Sequence, residues 1–138
     1  MTNADELAKA GKLARIRGEH AEVLRCYVDA MAASHEAGDL AGQMHHGRHA
    51  ADLHRKLGNL EEAHVLISVT VGFYRENPPS DLELANALRI AAPADESFED
   101  DGRCAALWRE AASLYEKVGV QEGVDEAEAH LKALTLIN

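Results

Sequence analysis

Aromatic residues make up 4% of this 138-residue chain, too few for a β-sandwich core, which draws on Tyr, Val, Ile and Thr. Cysteine is represented by Cys26 and Cys104 alone, with no CxxC spacing. Both read as small buried apolar residues of a reducing compartment rather than as a disulfide framework. Basic residues are outnumbered 14 to 24, for a net charge of −10. That balance argues against nonspecific binding to nucleic acid or anionic membranes. No apolar run approaches the length of a membrane span, and the polar start Met1-Thr2-Asn3-Ala4-Asp5-Glu6 does not read as a signal peptide, so a cytoplasmic protein is expected. GxSxG, a phosphate-cradling glycine loop, HExxH and the EF-hand spacing are all missing, so neither an enzyme nor a cofactor is expected. What the chain does have is 46% hydrophobic residues with abundant Ala, a composition for one domain of close-packed helices.

The sequence also repeats. Residues 38–49, GDLAGQMHHGRH, align with residues 119–130, GVQEGVDEAEAH, matching Gly38 to Gly119, Gly42 to Gly123 and His49 to His130. The offset is 81, two periods of about 40. A second series places a large residue three positions before a small one in Tyr27/Ala30, Ile67/Thr70 and Trp108/Ala111. Large and small residues on one helical face let a neighbouring helix come close. Gly18-Glu19 and Gly58-Asn59 read as tight turns between helices, Asp39 as an N-cap, and Ser80–Glu83 and Ser97–Asp100 as capping boxes. Seven helices follow, near 3–17, 20–37, 39–57, 60–76, 80–92, 98–118 and 120–137, with Pro93 expected to end or kink the fifth. The β-prone run Val65–Val71 sits inside a helical pattern and is assigned to helix.

Helix pairs punctuated in this way resemble tetratricopeptide repeats. The similarity rests on Leu7, Ala10-Gly11, Ala14, Gly18, Val23, Tyr27 and Ala30, on Ala50-Ala51, His54, Gly58, Ala63, Ile67 and Thr70, and on Leu88, Ala91-Ala92, Cys104, Trp108 and Ala111. The period of 40–41 exceeds the usual one, and Pro93 departs from the pattern. The resemblance implies an all-α, right-handed α-α superhelix of about three degenerate hairpins (3–37, 39–76 and 80–118) with a closing helix, 120–137. HEAT and other α-hairpin repeats are the alternative. It further implies a concave groove, lined by the first helix of each pair, that binds a peptide or protein segment.

Groove-lining candidates are Lys12 and Arg15 on the first helix, His45, Arg48, His49, Asp52 and Arg55 on the third, and Asn86 and Arg89 on the fifth. Together they form a basic stripe on an acidic protein, suited to an acidic segment or a terminal carboxylate. The competing reading is an ordinary solvated helix face. His45 and His49, four apart with Asp52 beyond, have a spacing that could share a metal, but Arg48 between them disfavours a cation. An acidic cluster at Asp95, Glu96 and Glu99–Asp101 lacks calcium-loop spacing, and His54, Trp108, Tyr115, Tyr27, Phe73 and Tyr74 are assigned to the core. The leading expectation is a protein-interaction adaptor. The alternatives are a self-assembling protein that dimerises through Leu131, Leu134, Leu136 and Ile137, and a metal- or ligand-binding helical domain.

Overall fold

The computed structural model describes residues 3–96 and 101–137, which form seven α-helices and no strand. These are α1 (Ala4–Ile16), α2 (His20–Glu36), α3 (Leu40–Lys56), α4 (Leu60–Glu76), α5 (Asp81–Glu96), α6 (Asp101–Val118) and α7 (Gln121–Ile137). The β-prone run lies wholly within α4, where position in a helical array overrides local propensity. The expected capping box at Ser97–Asp100 lies outside the described residues, as do the side chains of Asp95, Glu96, Asp101, Leu136 and Ile137.

The helix ends follow from the sequence. α2 and α6 close alike. Gly38 and Gly119 adopt φ of 73° and 79°, which glycine reaches without a Cβ clash. The next residue then donates its N–H five positions back, Asp39 to the Ser34 carbonyl at 2.8 Å and Val120 to the Tyr115 carbonyl at 2.9 Å. Asp39 caps α3, its side chain accepting from the Gly42 N–H at 2.9 Å. Ser80 Oγ accepts from the Glu83 N–H at 3.2 Å, as the capping-box pattern after Pro78-Pro79 requires.

α5 differs from expectation. It continues through Pro93 to Glu96 rather than stopping at residue 92. Proline removes one backbone donor and crowds the preceding turn, yet the turn is held by its surroundings. Ala91, Ala92 and Ala94 are buried, and the Cys104 thiol donates to the Ala92 carbonyl at 3.2 Å.

The chain divides into two compact units, residues 1–70 and 71–138, with the division falling inside α4. In the first, α1 packs on α2 and α2 on α3. Its core gathers Ala14, Val23, Tyr27, Ala50 and Leu53. Gly11 lets α1 approach α2 closely, since a Cβ there would lie 3.0 Å from the Tyr27 ring. In the second, α5 packs on α6 and α6 on α7, around Leu88, Cys104, Trp108, Tyr115, Val124 and Leu134. Arg75 reaches Glu110, and Lys117 Nζ lies 3.1 Å from Asp81. Leu134 is 8% exposed and Leu131 packs against this core, so these two leucines of the proposed dimer face are spent inside their own unit. No helix of the described residues is long and apolar enough to cross a membrane.

Candidate functional site

The 81-residue repeat reappears as geometry. In the first unit the Tyr27 ring of α2 stacks on His49 of α3, with centroids 4.7 Å apart and planes at 22°. In the second, Trp108 of α6 stacks on His130 of α7 at 4.2 Å and 9°. Both partners of each pair are related by the same offset. Around this shared pair the two units diverge, and the first keeps an open cleft.

That cleft, of about 440 Å³, lies against α1, α2 and α3. Lys9 and Lys12 come from α1, Tyr27 from α2, and His45, His46 and His49 from α3, with Asp5 and Asp39 also in the wall. Lys9 and Lys12 are exposed, and neither forms an ion pair among the described residues. The Tyr27 side chain is 1% exposed and its hydroxyl has no hydrogen-bond partner; buried His46 likewise leaves Nδ1 unpaired. Buried polar atoms without partners cost on the order of 1–3 kcal/mol each, so two of them in one cleft favour any ligand that supplies the missing bonds.

Electrostatics at this site keep His46 and His49 neutral. His49 is pushed down to about 3, chiefly by burial and then by the charges of Arg48, His45, Arg15 and His46. Burial also lowers His46, against the opposing pull of Asp5 and Asp39. Burial raises the Tyr27 phenol, although Arg15 and Arg48 oppose it, so it stays a hydrogen-bond donor at neutral pH. The Arg15 guanidinium adds a cation–π contact, 5.6 Å from the Tyr27 ring centroid.

The nine expected groove residues have different fates. Lys12, His45 and His49 line the cleft, and Arg15 stands beside it over Tyr27. Arg48 is 7% exposed and Asp52 9%, not the open positions the spacing suggested. The reason is position: α3 has α2 packed against it and α4 following it, and Gly47, next to Arg48, faces Met31 of α2 and Thr70 of α4. Arg55 bonds Asp52 at 2.8 Å and Lys56 adds a second contact at 3.3 Å. Burial alone would raise the Asp52 carboxyl, but the Arg55 hydrogen bond and the Lys56 charge outweigh it and hold it below its usual range. Arg55 therefore serves an internal ion pair.

Asn86 and Arg89 belong to the second unit. Asn86 Oδ1 accepts from the Tyr115 hydroxyl at 2.6 Å, and Arg89 Nε lies 2.8 Å from Glu126. The hollow they line measures about 210 Å³, less than half the first cleft.

Sequence reasoning missed Lys9, His46 and the second role of Tyr27. The repeat alignment held a signal for Tyr27: its counterpart Trp108 has no hydroxyl. His54, assigned to the core, is half-buried and pairs with Asn59 at 3.1 Å. His45 and His49 meet edge to face at 5.0 Å, and among the described residues no three His, Cys, Asp or Glu side chains are grouped to hold a metal ion. No protein-family model and no curated protein sequence matches this chain.

Proposed function

We propose that this protein is a tetratricopeptide-like interaction module that holds an acidic segment of a partner protein in the α1–α3 cleft. The observation that carries the reading is the pair of unpartnered polar atoms, Tyr27 hydroxyl and His46 Nδ1, in a cleft rimmed by Lys9 and Lys12. A carboxylate supplies acceptors to both kinds of group: charge-assisted bonds to the lysines at the rim, and a neutral bond from the phenol within. His46 joins as a donor in the tautomer that carries its proton on Nδ1. Asp5 and Asp39 repel acid on their side of the cleft and so bias the segment toward Lys9 and Lys12.

Two positions of the basic stripe make poor test sites. Arg48 is buried and Arg55 holds Asp52, so reversing either charge would disturb folding. The test is therefore Lys9→Glu/Lys12→Glu, at two exposed positions. A random peptide library selected against the wild-type protein should enrich Asp- or Glu-containing peptides. Their affinity, read by fluorescence polarisation, should drop at least tenfold in the double variant with helical circular dichroism unchanged. Enrichment without acidic residues, or equal binding by the variant, would reject the reading.

A further inference from the structure

A second hollow, of about 520 Å³, opens beside the first in the same unit and shares Asp5 and Asp39 with it. The 81-residue offset shows which residues stand at the same places in the second unit. Ser34 corresponds to Tyr115, Ala33 to Leu114, Ala37 to Val118, Asn3 to Leu84 and Asp39 to Val120. In the second unit Tyr115 is core, with Leu84, Leu114 and Val120 packed against it. In the first unit every one of these positions carries a smaller or more polar residue.

The glycine at the start of the next helix marks the match. Gly123 lies so close under the Tyr115 ring that a Cβ would collide with it, and its counterpart Gly42 lies under the Asp39 carboxylate, with Ser34 Oγ 3.1 Å from where a Cβ would stand. The first unit thus keeps the glycine, with the Asp39 carboxylate and the Ser34 hydroxyl over it in place of an aromatic ring. Ser34 itself is 2% exposed, and its hydroxyl is buried with no hydrogen-bond partner. The position that accepts from the Tyr115 hydroxyl in the second unit, Asn86, is Asp5 in the first, a stronger acceptor. Glu36 and Asp39 bring further carboxylates to the lining.

We infer that this hollow is a binding site for a small molecule built on one phenol ring that carries an ammonium group. The ring takes the place that Tyr115 fills in the other unit. Its hydroxyl finds Ser34 or Asp5 as partner, and the ammonium meets the acidic wall. Size agrees, since a single benzene ring fits a cavity of about 150 Å³ and the remaining room admits a short aminoalkyl arm. The inference makes no use of Lys9, Lys12 or Tyr27, which carry the peptide-binding reading, although the two hollows share Asp5 and Asp39.

The test uses three probes that share the ring and differ in charge: tyramine, p-cresol and 4-hydroxyphenylacetate. Each is titrated into the full ¹⁵N-labelled chain and read by amide shifts. Saturable shifts are expected at Ala33, Ser34 and Ala37, with tyramine at least tenfold tighter than 4-hydroxyphenylacetate and p-cresol between them. Ser34→Tyr, which installs the ring of the other unit, should abolish the shifts. Should that variant fail to fold, Ala33→Leu, which installs the other unit's leucine, should weaken tyramine at least fivefold. Absence of saturable shifts at these amides, equal binding by the folded variants, or a tightest fit for the anionic probe would overturn the proposal.

Discussion

The two units are built on one plan and finished differently. Each stacks an aromatic residue of one helix on a histidine of the next, Tyr27 on His49 and Trp108 on His130, and each turns on a left-handed glycine between those two helices. The second unit then narrows the corresponding place to a hollow of about 210 Å³. Tyr115 covers Gly123 and donates to Asn86, and Arg89 pairs with Glu126. The first leaves the same places open, with Ser34 over Gly42 and with Lys9, Lys12 and His45 around a cleft. Duplication supplies a packed copy that shows what stability alone asks for. Departures from it in the other copy mark where packing has been given up, as at Ser34, whose hydroxyl is buried without a partner.

Mutations can break this comparison. The largest effect is expected for Trp108→Ala, since Trp108 is 1% exposed and central to its unit: about 3–5 kcal/mol in urea denaturation. Gly123→Ala forces a Cβ against the buried Tyr115 ring and should cost about 2–3 kcal/mol, whereas Gly42→Ala displaces the Asp39 carboxylate that caps α3 and should cost about 1 kcal/mol. Equal losses from the two glycine variants would mean that the first unit is packed as tightly as the second there.

A pH series sharpens it further. His49 titrates at about 3 in the folded chain but near its ordinary value when unfolded. Its folded pKa is depressed, so the unfolded state takes up the proton first as pH falls. Stability on its account is full above about pH 6.5 and declines below, by up to about 1.4 kcal/mol per pH unit. His49→Phe keeps a ring beside Tyr27 and removes that proton, so its stability should fall less steeply than wild type between pH 6 and 4. Parallel curves would show that His49 is not held neutral. The smallest effect is expected for Arg89→Ala: its pair with Glu126 is 42% and 36% exposed, and its loss should cost under about 1 kcal/mol, less still in high salt.

Much of the helix pattern was legible because its determinants are local. Gly18 and Gly58, Asp39 and Ser80 fix where helices stop and start, and the three large/small pairs give the face that packs. The passage of α5 through Pro93 was not legible, since it rests on burial around Ala92 and on the Cys104 thiol from another helix. The site was legible in part. Lys12, Arg15, His45 and His49 come together because α1 and α3 both pack on α2. Arg48 and Asp52 share the helical face of His45 and His49 in sequence spacing, but spacing along one helix cannot show how much of that face its neighbours cover. Tyr27 was legible as core; that its hydroxyl lacks a partner depends on which atoms of α1 and α3 surround it.

The most direct test of the cleft is a titration of the selected acidic peptide into the ¹⁵N-labelled chain, followed residue by residue. Amide shifts are expected at Lys9, Lys12, Tyr27 and His46, saturating together and vanishing in Lys9→Glu/Lys12→Glu, while the Asn86–Arg89 region stays still. Shifts centred on Asn86 and Arg89, or unchanged in the double variant, would contradict the assignment of binding to the open unit.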